Sequence, residues 1–229
     1  PWDRFTQPMM VGASLLLVGL IDLVLRQNIA KVILVAVLAG FSAGNHFHEA
    51  MRYRQEWTDQ RSFFWQLAWR VPAVKAGTAF LTGSLPFFNS TDNSLTAPLN
   101  WIYAPALDSL EMPFAMYNIE ARLGNSLPEL EPNIPLDLEY RAASFHGTTS
   151  QALVFHYKPP RCLKILDLKT DRHYPNKGGY AALALPLSNL HLIQEEGEYS
   201  AMLPAFLGPE PKHNWCYYFE KVDLAVQLG

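Results

Sequence analysis

Two apolar runs open the chain, Met9 to Leu25 and Ala30 to Phe47, divided by a short polar connection that begins at Arg26. Neither run has a polar face, and a helix that is apolar all round belongs in a membrane or at the centre of a very large protein. Each is close to the shortest length that crosses a hydrocarbon core, about 17–25 residues. The pattern predicts a transmembrane helical hairpin over residues 1–47, with a buried helical hairpin in a soluble core as the alternative. From His46 to Arg70 there is neither Pro nor Gly. Ala50, Tyr53, Trp57, Phe64 and Ala68 recur at helical spacing, with Phe63 and Leu67 beside them. This predicts an amphipathic juxtamembrane helix over 48–72, stopped by Pro72 because the residue before a proline avoids the helical region.

Beyond Pro72 the periodicity shortens and changes repeatedly. Thr78 to Thr82 reads as a strand between turns at Lys75–Gly77 and Gly83–Ser84. A short helix is expected within Ser94 to Pro105, capped by Asp92 or Ser94, and MPFAMYNIEARL is expected to supply a strand. SLPELEPNIPLDL carries Pro128, Pro132 and Pro135 and predicts a loop. LEYRAASFHG and QALVFHYK predict two strands joined as a hairpin through Gly147–Ser150, and PPRCLKILDL a further strand. A short apolar helix lies within DRHYPNKGGYAALALPLSNLHLI, and Glu195 to Glu198 reads as a turn. The last helix begins after Asn214, with Trp215, Tyr218, Phe219, Val222 and Val226 on one face. Strands mixed with short helices predict one α/β or α+β domain over 73–229.

Composition fits this division. A chain of 229 residues with 49% hydrophobic residues and a net charge of -3 suits one ordinary soluble domain, or one domain plus a small membrane part. The charge balance excludes nucleic acid as a partner, since phosphate demands a basic face. Arg26 and Lys31 flank the connection between the apolar runs, and positive charge favours the cytoplasmic side. Residues 73–229 are therefore expected outside, at the cell membrane. There the two cysteines, Cys162 and Cys216, occupy an oxidising compartment and are expected to form a disulfide, with two buried free thiols as the alternative. Both ends of the chain read as cut from a larger protein.

The chemical motifs are few. There is no phosphate loop, nucleophile elbow or zinc-protease helix motif in the sequence. His46, His48 and Glu49 first suggest a metal box, but positions i and i+2 of a helix face nearly opposite sides. No metal or cofactor is expected. Polar and aromatic residues are densest in FFNSTDNSLTAPLNWIYAP and GPEPKHNWCYYFEK. Asn89, Asp92, Asn93, Asn100, Trp101, Tyr103, Glu210, His213 and Trp215 are the candidate binding residues there, with carbohydrate or a protein as ligand. Packed loops share this composition, and that reading stands beside the first.

At these two stretches and at FFWQLAWRVPAVKAGTAFLTGSLPF (63–87), the sequence resembles large multi-pass bacterial membrane proteins of Chloroflexota-type organisms. Their plan is similar to that of GT-C glycosyltransferases, which take sugar from lipid-phosphate donors. The resemblance implies a run of transmembrane helices followed by an outside α/β domain. It also implies a catalytic acidic residue in an early loop between membrane helices, apart from this segment. Two functional expectations follow. One is the accessory, non-catalytic part of a lipid-linked sugar transferase. The other is a non-enzymatic binding or assembly module of a membrane complex or cell-surface structure, whose partners are the bilayer and other transmembrane helices.

Overall fold

The computed structural model describes residues 3–88, 90–172, 179–194 and 202–228. The chain is mixed α/β and divides into two compact units, Pro1–Gln55 and Glu56–Gly229.

The first unit contains α1 (Asp3–Val24) and the start of α2 (Asn28–Arg70). α2 is one continuous helix of 43 residues, so the second apolar run and the amphipathic stretch after it form a single helix through His46, His48 and Glu49. With no Pro or Gly after Gly44, nothing in the sequence interrupts the backbone ladder until Pro72. The apolar side chains here are open. From Met9 to Phe41 the large hydrophobic residues that are exposed range from Leu34 at 37% to Leu23 at 81%, and Ile21 alone is buried. α2 is the one helix among the described residues long and apolar enough to cross a bilayer, and the apolar part of α1 is the shorter Met9–Val24.

The second unit is built on a four-stranded sheet. Its strands are β2 (Thr78–Thr82), β3 (Phe114–Asn118), β6 (Ala152–His156) and β7 (Lys164–Ile165), in the order β3-β2-β6-β7. β2 pairs in parallel with β3 and with β6, while β6 and β7 are antiparallel. Strands in the middle of such a sheet are covered on both faces and read as nearly unbroken apolar runs. TAFLT, FAMYN and ALVFH have that composition. Phe80, Met116, Leu153 and Phe155 enter one core with Phe63, Phe64, Leu67 and Val71 of the end of α2. Leu81, Ala115, Tyr117 and Val154 enter a second core on the opposite face. α3 (Asp92–Tyr103) bridges β2 and β3, and α4 (Ile119–Arg122) follows β3 directly.

The hairpin lies elsewhere than the sequence suggests. It falls inside LEYRAASFHG, between β4 (Pro135–Tyr140) and β5 (Ala143–Thr148), with Arg141 at φ 59 in a two-residue turn. β4 takes the last part of the proline-rich stretch read as a loop. Leu136, Leu138 and Phe145 point inward while Asp137 and Glu139 face out, the period-2 pattern of a half-buried ribbon. β6 is apolar on both faces, so it pairs with central β2 rather than with half-exposed β5. A two-stranded pair, β1 (Ala73–Val74) with β8 (Ile193–Gln194), completes the sheets. α5 (Tyr180–Ala184), the 3-10 turns Leu185–Leu187 and Leu190–Leu192, and α6 (Met202–Leu207) connect these strands to α7 (Trp215–Leu228). The turn expected at Glu195–Glu198 lies outside the described residues.

Candidate functional site

Most of the predicted binding residues hold the domain together. Asp92 is 3% exposed and takes two hydrogen bonds from Arg122, at 2.7 Å each, and others from the backbone amides of Asn93 and Asn118. Burial raises its pKa, but the Arg122 guanidinium and these amides outweigh burial and hold the carboxyl below its usual range. Its cap role also differs from expectation, since Thr91 is the N-cap of α3 and Asp92 lies in the first turn. Asn100 donates to the carbonyls of Thr96 and Phe114 and accepts the Phe114 amide, which pins α3 to β3. The Tyr103 hydroxyl donates to Val71 O at 2.8 Å, and burial raises its pKa. Glu210 accepts from Trp69 Nε1 at 2.9 Å and lies 3.2 Å from His213 Nε2, while His213 stacks on Tyr217 at 3.5 Å. Asn93 Oδ1 is buried with no hydrogen-bond partner among the described residues. Asn89 lies outside the described residues. Trp101 remains 53% exposed against Phe206, and Trp215 is 76% exposed.

The distinctive arrangement centres on α7. Cys216 in its first turn is joined to Cys162 by a disulfide, so the pair expected from sequence is formed. Asn214 Oδ1 accepts the Tyr217 amide and closes the start of the helix. Cys216, Glu220, Asp223 and Gln227 follow at spacings of four, three and four, which places them on one face. That face is the inner one. Arg70 is fully buried and donates from Nε to Asp223 Oδ2 at 3.2 Å. Lys164 Nζ lies 3.0 Å from Asp223 Oδ1 and 3.1 Å from Asp171 Oδ1. Gln227 donates to Ile165 O and, at 3.4 Å, to Asp171.

Glu220 is fully buried in this cluster, and neither carboxyl oxygen has a hydrogen-bond partner among the described residues. Burial pushes its pKa up to about 9 despite the nearby Arg70 and Lys164 charges. A neutral Glu220 leaves two cations, Arg70 and Lys164, facing two carboxylates, Asp171 and Asp223. Burial lowers the pKa of Arg70 against the pull of Asp223. For Lys164 burial also acts downward, but Asp223 and Asp171 outweigh it and the pKa rises.

The outer face of α7 is the reverse of a normal surface. Its exposed residues are Trp215, Tyr218, Val222, Ala225 and Val226, all uncharged, and Phe219 is half-buried. The apolar stripe predicted from the sequence exists, but it points away from the domain.

The chain matches no known family model, no curated protein and no solved structure.

Among the described residues no group of three or more His, Cys, Asp and Glu side chains is placed to hold a metal. A cleft of about 470 Å³, lined in part by Ser150, Asp167, Asn189, His191 and Gln227, is of small-molecule size. Its polar groups are largely committed to the fold. Asn189 takes the His191 amide and donates to Ser150 O, and the Ser150 hydroxyl bonds Asn133. The α7 face was missed in the sequence because Arg70, Lys164 and Asp171 come from distant segments. The one available signal was the polar stripe Cys216, Glu220, Asp223 and Gln227, which runs opposite the apolar one.

Proposed function

We propose that this chain is a membrane-anchored piece of a larger multi-pass protein, with the unit from Glu56 onward working on the extracytoplasmic side. The observation that carries the reading is the open apolar surface of the first unit. Most of its large aliphatic side chains are exposed among the described residues, and water is a costly neighbour at about 25 cal/mol per Å². Lipid satisfies them. Asp22 forms an ion pair with Lys31 at the connection between α1 and α2, which neutralises a carboxylate at the rim of the apolar zone. Gly40 and Gly44 are four apart on α2, and a Cβ at either would meet no atom within 4 Å. That small-residue face suits a neighbouring transmembrane helix of the same or a partner protein. The disulfide supports an oxidising compartment.

The similarity in plan to GT-C transferases gives this reading its specific form, an accessory non-catalytic part of a lipid-linked sugar transferase. The outward apolar face of α7 favours a second form, a non-enzymatic assembly module of a membrane complex. Both are tested first by the anchor. The protein in native membranes should resist alkaline carbonate extraction. A Gln27→Cys variant should react with an impermeant maleimide only after the cytoplasmic face is opened. Release by carbonate, or labelling from outside, rejects the topology. The complete coding sequence separates the two forms, because a protein without further spans and an early acidic loop is no such transferase.

A further inference from the structure

Helix α7 is seated on its domain by its polar side. Its one fully buried residue is a carboxylic acid, Glu220, while Trp215, Tyr218, Val222 and Val226 lie exposed. Tyr217, Leu224 and Leu228 touch the core and are each half-buried. Burial of apolar surface, the usual force that seats a helix, therefore holds α7 weakly. The end of α2 is the contrast, with every residue from Phe63 to Arg70 buried. The polar seat is also incompletely paired. Arg70 Nη1 and Nη2, both Glu220 carboxyl oxygens and Gln227 Oε1 are buried with no hydrogen-bond partner among the described residues. Each such group counts against docking. What holds α7 is the pairing of Asp223 with Arg70 and Lys164, and the covalent bond from Cys216 to Cys162.

We propose that the Cys162–Cys216 disulfide is a redox latch, opened by a protein dithiol, that releases α7 from the second unit while the sheet stays folded. Both cysteines are half-buried, so an attacking thiolate meets the bond without prior unfolding. One thiolate of the dithiol bonds to Cys162 Sγ, and Cys216 leaves as a thiolate that the amides of the first turn of α7 stabilise. The second thiolate of the dithiol then attacks its own partner sulfur in the mixed disulfide and frees Cys162. Two electrons pass to the protein, the dithiol becomes a disulfide, and its two protons end on Cys162 and Cys216. The sheet does not need α7, because no residue of α7 is among the fully buried members of either core.

Release has a second chemical consequence. In the seat Glu220 faces Arg70 of α2, Lys164 of β7, Asp171 beyond it, Asp223 of α7 and Tyr157 after β6. Burial holds the Glu220 proton up to a pKa of about 9, against 4.5 once the helix is free. Lys164 and Tyr157 are both shifted upward and keep their protons at neutral pH, and an arginine stays charged. Opening the latch between those two values therefore sheds one proton from Glu220, and higher pH favours the open form. Every residue involved belongs to the second unit, so the inference stands apart from the anchor.

The test uses the full chain in lipid nanodiscs with mixtures of reduced and oxidised dithiothreitol. Thiols freed are counted by alkylation, and amide exchange is followed in Trp215–Leu228 and in Thr78–Thr82. The expected result is exchange at least about tenfold faster in α7 on reduction, unchanged exchange in β2, and recovery on reoxidation. Between pH 6 and 8 the equilibrium constant for opening should rise about tenfold per pH unit. Glu220→Gln, with β2 exchange as the check that it folds, should remove that slope. Protection of α7 that survives reduction overturns the latch. Joint loss of protection in α7 and β2 overturns it in favour of a bond that stabilises the whole unit. A parent as insensitive to pH as Glu220→Gln overturns the coupling to the buried seat.

Discussion

Asn100 shows how a polar residue in an aromatic neighbourhood can serve packing. Its amide group satisfies both the amide and the carbonyl of Phe114, where β3 begins. Asn100→Ala would leave those buried backbone groups unpaired and should cost about 2–3 kcal/mol, read as a lower midpoint in urea with unchanged slope. An unchanged midpoint would show that Asn100 is free for another role. The sequence could not distinguish these roles, because an amide beside Trp101 has the same composition whether it faces a ligand or a strand. Glu220 is the opposite case, a carboxylate buried on the inner face of its helix. Its folded pKa of about 9 stands against 4.5 in the unfolded chain. Between those values the folded protein holds a proton that the unfolded chain has released, so stability falls as pH rises through that window. Glu220→Gln keeps the shape and removes the titration. The variant should match the parent near pH 4 and exceed it increasingly as pH rises toward 8, by about 1.4 kcal/mol per pH unit. Parallel stability curves for the two proteins from pH 4 to 9 would show that Glu220 is ionised in the folded state.

At the scale of elements, strand β2 and the helices α2 and α7 follow local pattern closely, and their pairing does not. Thr78–Thr82 is a strand where turn residues bracket a short apolar run. Its neighbours β3 and β6 are set by sequence separations that no local window contains. The hairpin moved for a related reason. Gly147 suggested a turn, yet its Cβ position is crowded by Phe145 at 2.7 Å, so this glycine is there for close approach within a strand. The disulfide is the clearest tie between elements, since it fastens the start of α7 to the loop before β7. It closes a loop of 54 residues in sequence. In the chain-entropy account such a closure is worth about 4 kcal/mol. Cys162→Ser with Cys216→Ser should therefore lower the melting temperature by roughly 8–15 °C, measured by circular dichroism. The loss should be accompanied by faster amide exchange in α7 than in β2. Uniform exchange across both would mean that the bond stabilises the whole unit rather than seating α7.

For the whole molecule, the legible part was the division of labour between an apolar start and an α/β remainder. Hydrophobic pattern reports it directly, because large apolar side chains are exposed in the first part and buried in the second. The residues of both cores lie between Phe63 and Leu207, and Ile21 is the one buried hydrophobic residue earlier among those described. A unit that contains its own cores has what it needs to fold alone. Residues 56–229 expressed without the first unit, in an oxidising compartment, should form the disulfide and melt cooperatively. The midpoint should lie within about 5 °C of the full chain, since both cores lie within the fragment. The same fragment should no longer sediment with membranes. The two readouts answer different questions. A fragment that folds but still sediments would place membrane affinity in the second unit, with the outer face of α7 as the first place to look through Tyr218→Lys. A fragment that fails to melt cooperatively would mean that the apolar helices supply packing to the domain, which is the buried-hairpin alternative raised by the sequence. Folding with loss of sedimentation leaves lipid as the remaining neighbour for the exposed side chains from Met9 to Phe41.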